Sequence, residues 1–249
     1  MGLIFDIHSA RLYEAWYQSS RGQMIDLFIK DHLRDLLSPL QGERILDIGC
    51  GSGNHLLSMS RMGLDLNGVD ASPYMLDLAR KRLGDRCLLR KGMAEDLPFE
   101  DNEFDITTMI NTLEFLDDPL QVLREAGRVT RRKIFIGTIN SLSWFYLWDK
   151  LQGIFRDNLF NQLRAYSLWD LKSYVGRVFG PVSVEWKSAR TWPFSAEIFH
   201  SASKDFFGLD HWPISPFLGI STTMAYTMKT DKLPLKVGIS KTGESVMQG

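Results

Sequence analysis

The sequence predicts an α/β fold built as a doubly wound, mostly parallel sheet with helices on both faces. Three observations carry that expectation. Arg44–Ile48 is an apolar, β-favouring run that enters a turn with glycines at 49, 51 and 53, and helical spacing follows in Leu56, Leu57, Met59 and Met62. The alternation then repeats through Leu64–Asp70, a helix from Pro73 and the short run Arg86–Arg90, and such a βαβαβ series dictates parallel strands with right-handed crossovers. Phe104–Ile110 is apolar almost throughout, as a strand covered on both faces must be.

Taken in order, residues 1–42 are an N-terminal helical cover, since apolar side chains recur at three and four in Ala10–Tyr17 and Met24–Leu37, with Gly22 between the pieces. Leu40–Ile48 is a linker and the first strand, and Gly53–Met62 the first helix of the sheet. Ser72-Pro73 opens the second, with a capping hydroxyl followed by proline at the first helical position. Asp118–Val129 is a helix with Pro119 at its start, Lys133–Ile139 the fifth strand, and Ser167–Val178 a helix stopped by Gly180-Pro181. Val182–Trp186 and Thr222–Met228 are the sixth and seventh strands by alternation. The main domain is thus 43–229, interrupted by insertions at about 141–166 and 188–220, with 230–249 a loose tail.

Composition narrows the function. Lys plus Arg number 29 against 30 Asp plus Glu, a net charge of −1 that offers no global attraction to nucleic acid or an anionic membrane. Cys50 and Cys87 form no metal-ligand cluster and are expected as reduced thiols, which fits a cytoplasmic protein. No run of about eighteen apolar residues occurs to span a membrane. The amino terminus lacks a basic region and a signal core, and Asp6 stands where myristoylation wants a hydroxyl.

The glycine turn is built to hold a ligand, because glycine lets the backbone come close to a bound molecule and the next helix points its first N–H groups at it. The pattern is Asp47-x-Gly49-x-Gly51-x-Gly53, not G-x-G-x-x-G, and an acid two residues before the first glycine repels phosphate but suits a cationic amine. Asp70 ends the second strand, where doubly wound folds place the carboxylate that accepts from ribose hydroxyls. One ligand carrying an amine and a ribose satisfies both acids.

Together with Val69-Asp70-Ala71-Ser72, Gly92-Met93-Ala94-Glu95-Asp96-Leu97-Pro98-Phe99 and Phe104-Asp105-Ile106, these residues resemble the class I S-adenosylmethionine-dependent methyltransferases. The resemblance, over about residues 40–140, is to the type 11 group that includes ubiquinone and menaquinone C-methyltransferases. It implies a Rossmann-like seven-stranded sheet with a final antiparallel strand and S-adenosylmethionine as cofactor. The residues it implies as cofactor-binding are Asp47, Gly49, Cys50, Gly51, Gly53, Asp70, Ala71, Met75, Met93, Ala94, Glu95 and Asn111. Met93 departs from the family, which has an aspartate there to accept from the adenine amino group; Glu95 or Asp96 is left to read it instead. A histidine common near Glu114 in relatives is missing, as is the Asn-Pro-Pro-aromatic signature of nucleic-acid amino methyltransferases.

The acceptor is expected to be a small apolar or aromatic molecule, with Tyr13, Arg21, Glu114 and Trp144 as residues that could meet it. The aromatic stretch Trp144-Phe145-Tyr146-Leu147-Trp148 is expected to roof the site; packed core and peripheral contact with a membrane surface are the competing readings. For Tyr13 and Arg21 the competing reading is a helix packed on the sheet edge. His8, His55, His200, His211 and Glu114 are the candidate bases, with no choice made among them. No metal site is expected, and oligomeric state is not legible. A non-catalytic cofactor-binding subunit is the alternative function.

Overall fold

A computed structural model gives the architecture and describes residues 2–144, 146–147, 150, 163–188 and 211–224. Helices α1 (Ile7–Gln18) and α2 (Ser20–Leu37) precede β1 (Arg44–Ile48). Then follow α3 (Asn54–Met59), β2 (Asp65–Asp70), α4 (Pro73–Leu83), β3 (Leu88–Lys91) and β4 (Phe104–Ile110). The chain continues with α5 (Pro119–Val129), β5 (Thr130–Ile139), α6 (Leu168–Phe179), β6 (Val184–Ser188) and β7 (Phe217–Thr223). The seven strands form one sheet in the order β3-β2-β1-β4-β5-β7-β6. Pairings from β3 through β5 are parallel, while β7 runs antiparallel to both β5 and β6.

The two faces of the sheet bury separate cores. Leu46, Ile48, Met109 and Ile136 pack under Val122, Leu123 and Ala126 of α5 and Leu171 and Val175 of α6. Ile45, Ile106, Phe135 and Phe217 face Ile29 and Leu33 of α2, Leu56 and Met59 of α3 and Leu76 and Ala79 of α4. Neighbours such as Ile45 and Leu46 point to opposite faces because side chains alternate along a strand. At about 25 cal/mol per Å² of apolar surface, each buried leucine or isoleucine contributes roughly 1.5–3 kcal/mol.

Several boundaries differ from the sequence expectation by one to three residues, as where β5 begins at Thr130 and not Lys133 and β6 is Val184–Ser188 and not Val182–Trp186, and two differences are informative. The seventh strand is Phe217–Thr223, not Thr222–Met228. It lies between β5 and β6, buried on both faces, so it shows no apolar–polar alternation, whereas the alternation at 222–228 imitates a half-exposed strand. Residues 225–228 lie outside the described residues. The break between the first two helices falls at Ser19, not Gly22. Ser19 Oγ donates to Trp16 O and accepts from Gly22 N, ending one helix and capping the next. Gly22 sits in the first turn of α2, where an added Cβ would stand 2.3 Å from Trp16 O.

Candidate functional site

The crevice at the carboxyl ends of β1, β2 and β4 is where an open α/β sheet reverses its strand order, and a cavity partly open to solvent occupies it. Its floor is the turn after β1. The N–H groups of Gly49 and Cys50 both donate to Val69 O, at 2.8 and 3.0 Å, which pins the turn to β2. Gly49 has φ +70°, and a Cβ there would lie 2.4 Å from the Thr112 side chain, whose hydroxyl donates to Ile48 O at 3.0 Å. Only glycine fits.

Asp70 organises the rim. One carboxylate oxygen accepts from Gly51 N and the other from Ser72 N, both at 2.8 Å, so the acid holds the turn and the start of α4 together while facing the cavity. Burial raises its pKa, and the two backbone N–H bonds oppose the rise. Asp47 stands behind the wall. It is 1% exposed, Oδ1 accepts from Thr108 Oγ1 at 2.7 Å, and Oδ2 has no partner among the described residues. Burial pushes its carboxyl up to about 7, with the Thr108 bond pulling it down and the Asp70 charge adding to the rise.

The third wall is the loop before β4. Arg128 of α5 donates to Phe99 O at 2.8 Å and Leu97 O at 3.1 Å and pairs with Glu125, whose carboxylate accepts from Leu97 N at 2.9 Å. Gln121 Nε2 donates to Glu95 O at 3.2 Å. This scaffold sets Met93, Ala94 and Glu95 on the cavity wall, with Glu95 Oε2 buried and unpartnered among the described residues. Asn111 closes the crevice at the end of β4 with φ +50°, a left-handed conformation that asparagine tolerates better than most side chains. Its Oδ1 is also without a partner there.

Of the sequence-derived residues, Gly49, Cys50, Gly51, Asp70, Ala71, Met75, Met93, Ala94, Glu95 and Asn111 line this cavity; Asp47, buried in β1 two residues before Gly49, does not. Gly53 does not line it. With φ +79° it is the N-cap of α3, and a Cβ there would meet Leu83 Cδ1 of α4 at 2.8 Å, so the residue serves the close approach of the two helices. Tyr13 borders both this cavity and a second, small one beside it, which Trp16, Glu114, Ile139 and Leu163 also line. Arg21 lies in α2, and its side chain is outside what the structure describes. Trp144 is 60% exposed and lines neither cavity. The neighbouring residues 145, 148–149 and 151–162 lie outside the described residues, as do His200 and the tail 230–249. Leu163, the first described residue after that gap, borders the second cavity.

Sequence reasoning missed a fourth wall. Residues 2–5 cross the mouth as a strap: Leu3 N donates to Phe115 O at 2.8 Å, and Ser72 Oγ donates to Phe5 O at 2.5 Å. The Phe5 ring lies edge-on between Phe115, at 5.0 Å, and Tyr13, at 5.9 Å. The signal was present as the apolar run Leu3-Ile4-Phe5 ahead of Asp6, which caps α1 by accepting from Ser9 N. Glu14 of α1 pairs with Arg82 of α4 at 2.7 Å and accepts from Ser52 Oγ, locking the helical cover onto the turn.

Chemically, the first cavity presents carboxylates and apolar walls and, among the described residues, no Lys or Arg. That set repels a pyrophosphate and accommodates a ligand carrying positive charge. No group of three metal-ligating side chains occurs among the described residues. The fold and this crevice define the class of α/β methyltransferases. A family model described as a methyltransferase domain matches residues 46–135. The chain is 33% identical over 177 residues to a ubiquinone biosynthesis O-methyltransferase of Cereibacter sphaeroides, covering 61% of this chain and 71% of that one. It is 37% identical over 101 residues to a demethylmenaquinone methyltransferase of Thermotoga maritima, covering 40% and 44%. Among solved structures, an S-adenosylmethionine-dependent methyltransferase from Thermotoga maritima superposes with a TM-score of 0.64 at 23% identity, over 86% of this chain and 94% of that one. The chain belongs to the S-adenosylmethionine-dependent methyltransferase family, and S-adenosylmethionine is its cofactor.

Proposed function

We propose that this enzyme methylates a small apolar or aromatic molecule, with the first cavity holding S-adenosylmethionine and the second holding the acceptor. The observation that carries the assignment is a buried acid two residues before the glycine turn of a cavity whose lining, among the described residues, holds no Lys or Arg: Asp47 Oδ2 is buried, lacks a hydrogen bond among those residues, and is matched to a cationic amine. The glycine turn cradles the carboxylate end of the same ligand, Asp70 accepts from the ribose, and Met93, Ala94 and Glu95 meet the adenine. Bound there, the cofactor supplies a methyl group on a sulfonium. The chain's own task is then to align an acceptor with that methyl group and keep water out.

The aromatic second cavity supports an apolar acceptor, and the quinone-pathway names of the relatives point the same way. Residues 1–42 act as the cover and 43–229 as the catalytic domain. A reducing, cytoplasmic setting fits the two free cysteines, of which Cys50 is buried in the turn. Among the described residues no helix is long and apolar enough to cross a membrane. The test is calorimetric titration with S-adenosylmethionine. One-site binding is expected, weakened at least roughly tenfold in Asp70→Ala, about the worth of one hydrogen bond to a charged group. Absence of binding by the wild type would overturn the assignment of the cavity.

A further inference from the structure

We propose that Glu114 is the base that removes the acceptor's proton, and that the acceptor is therefore a neutral hydroxyl-bearing aromatic molecule, a phenol or enol, in place of an amine. This rests on the assignment of the two cavities above. Glu114 is 2% exposed in the short helical turn after β4. Its Oε1 accepts from Thr138 Oγ1 at 2.6 Å and Ile139 N at 2.9 Å, which fixes the carboxyl against β5. Its Oε2 is buried with no partner among the described residues, and the side chain lines the second cavity between Tyr13, Trp16 and Phe115. One oxygen is thus anchored twice and the other is held bare beside an aromatic slot. A buried polar atom left so costs stability, roughly 1–3 kcal/mol, unless a ligand completes it.

Among the described residues the surroundings leave the proton to this group. Among the described histidines, His8 and His211 are exposed and line neither cavity, and His32 is buried between α2 and β7. His55 borders only the first cavity, and burial holds its pKa down at about 4. The groups facing Glu114 are Tyr13 of α1, whose pKa burial raises, and Tyr166, whose hydroxyl donates to Leu113 O at 3.2 Å. Arg164 gives its backbone N–H to Glu114 O at 2.8 Å and lays its guanidinium over the Tyr166 ring. Burial lifts the Glu114 carboxyl to about 7 against the pull of the Thr138 and Ile139 bonds, which suits a base working near neutral pH.

The acceptor's class follows from charge. An amine enters as an ammonium, and the sulfonium in the adjoining cavity repels a second cation at transfer distance. An ion pair with Glu114 would further stabilise the protonated, unreactive form. A phenol is neutral, buries cheaply among rings and donates its O–H to Oε2. In the step, the acceptor oxygen bonds the methyl carbon, the carbon–sulfur bond breaks with its electron pair left on sulfur, and the O–H proton passes to Glu114. Water takes that proton after release.

The test compares wild type, Glu114→Gln and Thr138→Ala with S-adenosylmethionine and two matched probe sets, 4-alkylcatechols and 4-alkylbenzylamines. The expected result is methylation of the catechols alone, with kcat lowered at least about hundredfold in Glu114→Gln, KM within about threefold, and calorimetric cofactor binding unchanged. Thr138→Ala keeps the base but removes a bond that lowers its pKa, so the acid limb of its kcat profile should move to higher pH. Independently of turnover, the infrared difference between wild type and Glu114→Gln, both with S-adenosylhomocysteine, should show one protonated carboxyl lost through about pH 7, the Asp47 carboxyl being common to both and cancelling. Methylation of the amines, no methylation of any catechol by a wild type that binds cofactor, or a Glu114→Gln kcat within threefold of wild type overturns the proposal. Failure of the wild type to bind cofactor instead overturns the cavity assignment beneath it.

Discussion

Replacing Asp47 with asparagine should stabilise the ligand-free protein while weakening cofactor binding, and the size of the effect follows from burial. A carboxyl lifted from its ordinary 3.8 to about 7 corresponds to roughly 4 kcal/mol at 1.36 kcal/mol per pH unit. The native state keeps the proton where the unfolded chain has lost it. The stability this group contributes is therefore fully present below about pH 4 and is lost as pH rises through about 7. The amide has no charge to desolvate and can still accept from Thr108 Oγ1. The unfolding free energy of Asp47→Asn should thus exceed that of wild type by a margin growing by about 3 kcal/mol between about pH 5 and pH 8, read by urea denaturation. Glu114 titrates over the same range but is common to both proteins and cancels in the difference. Cofactor at a hundred times its Kd adds about 2.7 kcal/mol to the wild type and little to the variant, closing or reversing the gap. A margin that stays flat with pH would refute the account of Asp47 as a buried, proton-holding acid.

Glu95→Gln should weaken S-adenosylmethionine and S-adenosylhomocysteine alike by about tenfold in calorimetry, because the proposed orientation of the cofactor sets the adenine of both against Oε2, which has no partner among the described residues. A loss confined to one of the two would place Glu95 elsewhere on the ligand. Gly53→Ala should cost about 2 kcal/mol and lower Tm by several degrees, since φ is +79° and the new Cβ would stand 2.8 Å from Leu83 Cδ1. An unchanged melting curve would show that α3 and α4 separate freely.

The sheet was legible wherever burial was symmetrical along a strand. Phe104–Ile110 matches β4 to the residue because a strand covered on both faces announces its length in apolar residues. β7 was misplaced for the complementary reason: its run holds Gly219 and Ser221, small residues that fit beside Phe135 but weaken the apolar signal. In the site, the acids at strand ends were readable because their position in the fold fixes what they face. What periodicity could not show was which of two neighbouring glycines touches the ligand and which the next helix, since both need a positive φ. The second cavity, too, joins residues from Tyr13 to Leu163 that share no local pattern.

The strap at residues 2–5 is bonded on opposite sides of the cavity mouth, to Phe115 on one side and Ser72 on the other, with Phe5 buried between them. A segment fastened at two points opens as a unit and does not fray residue by residue. Exchange of spent donor for fresh donor past this side of the mouth is then expected to open both bonds together.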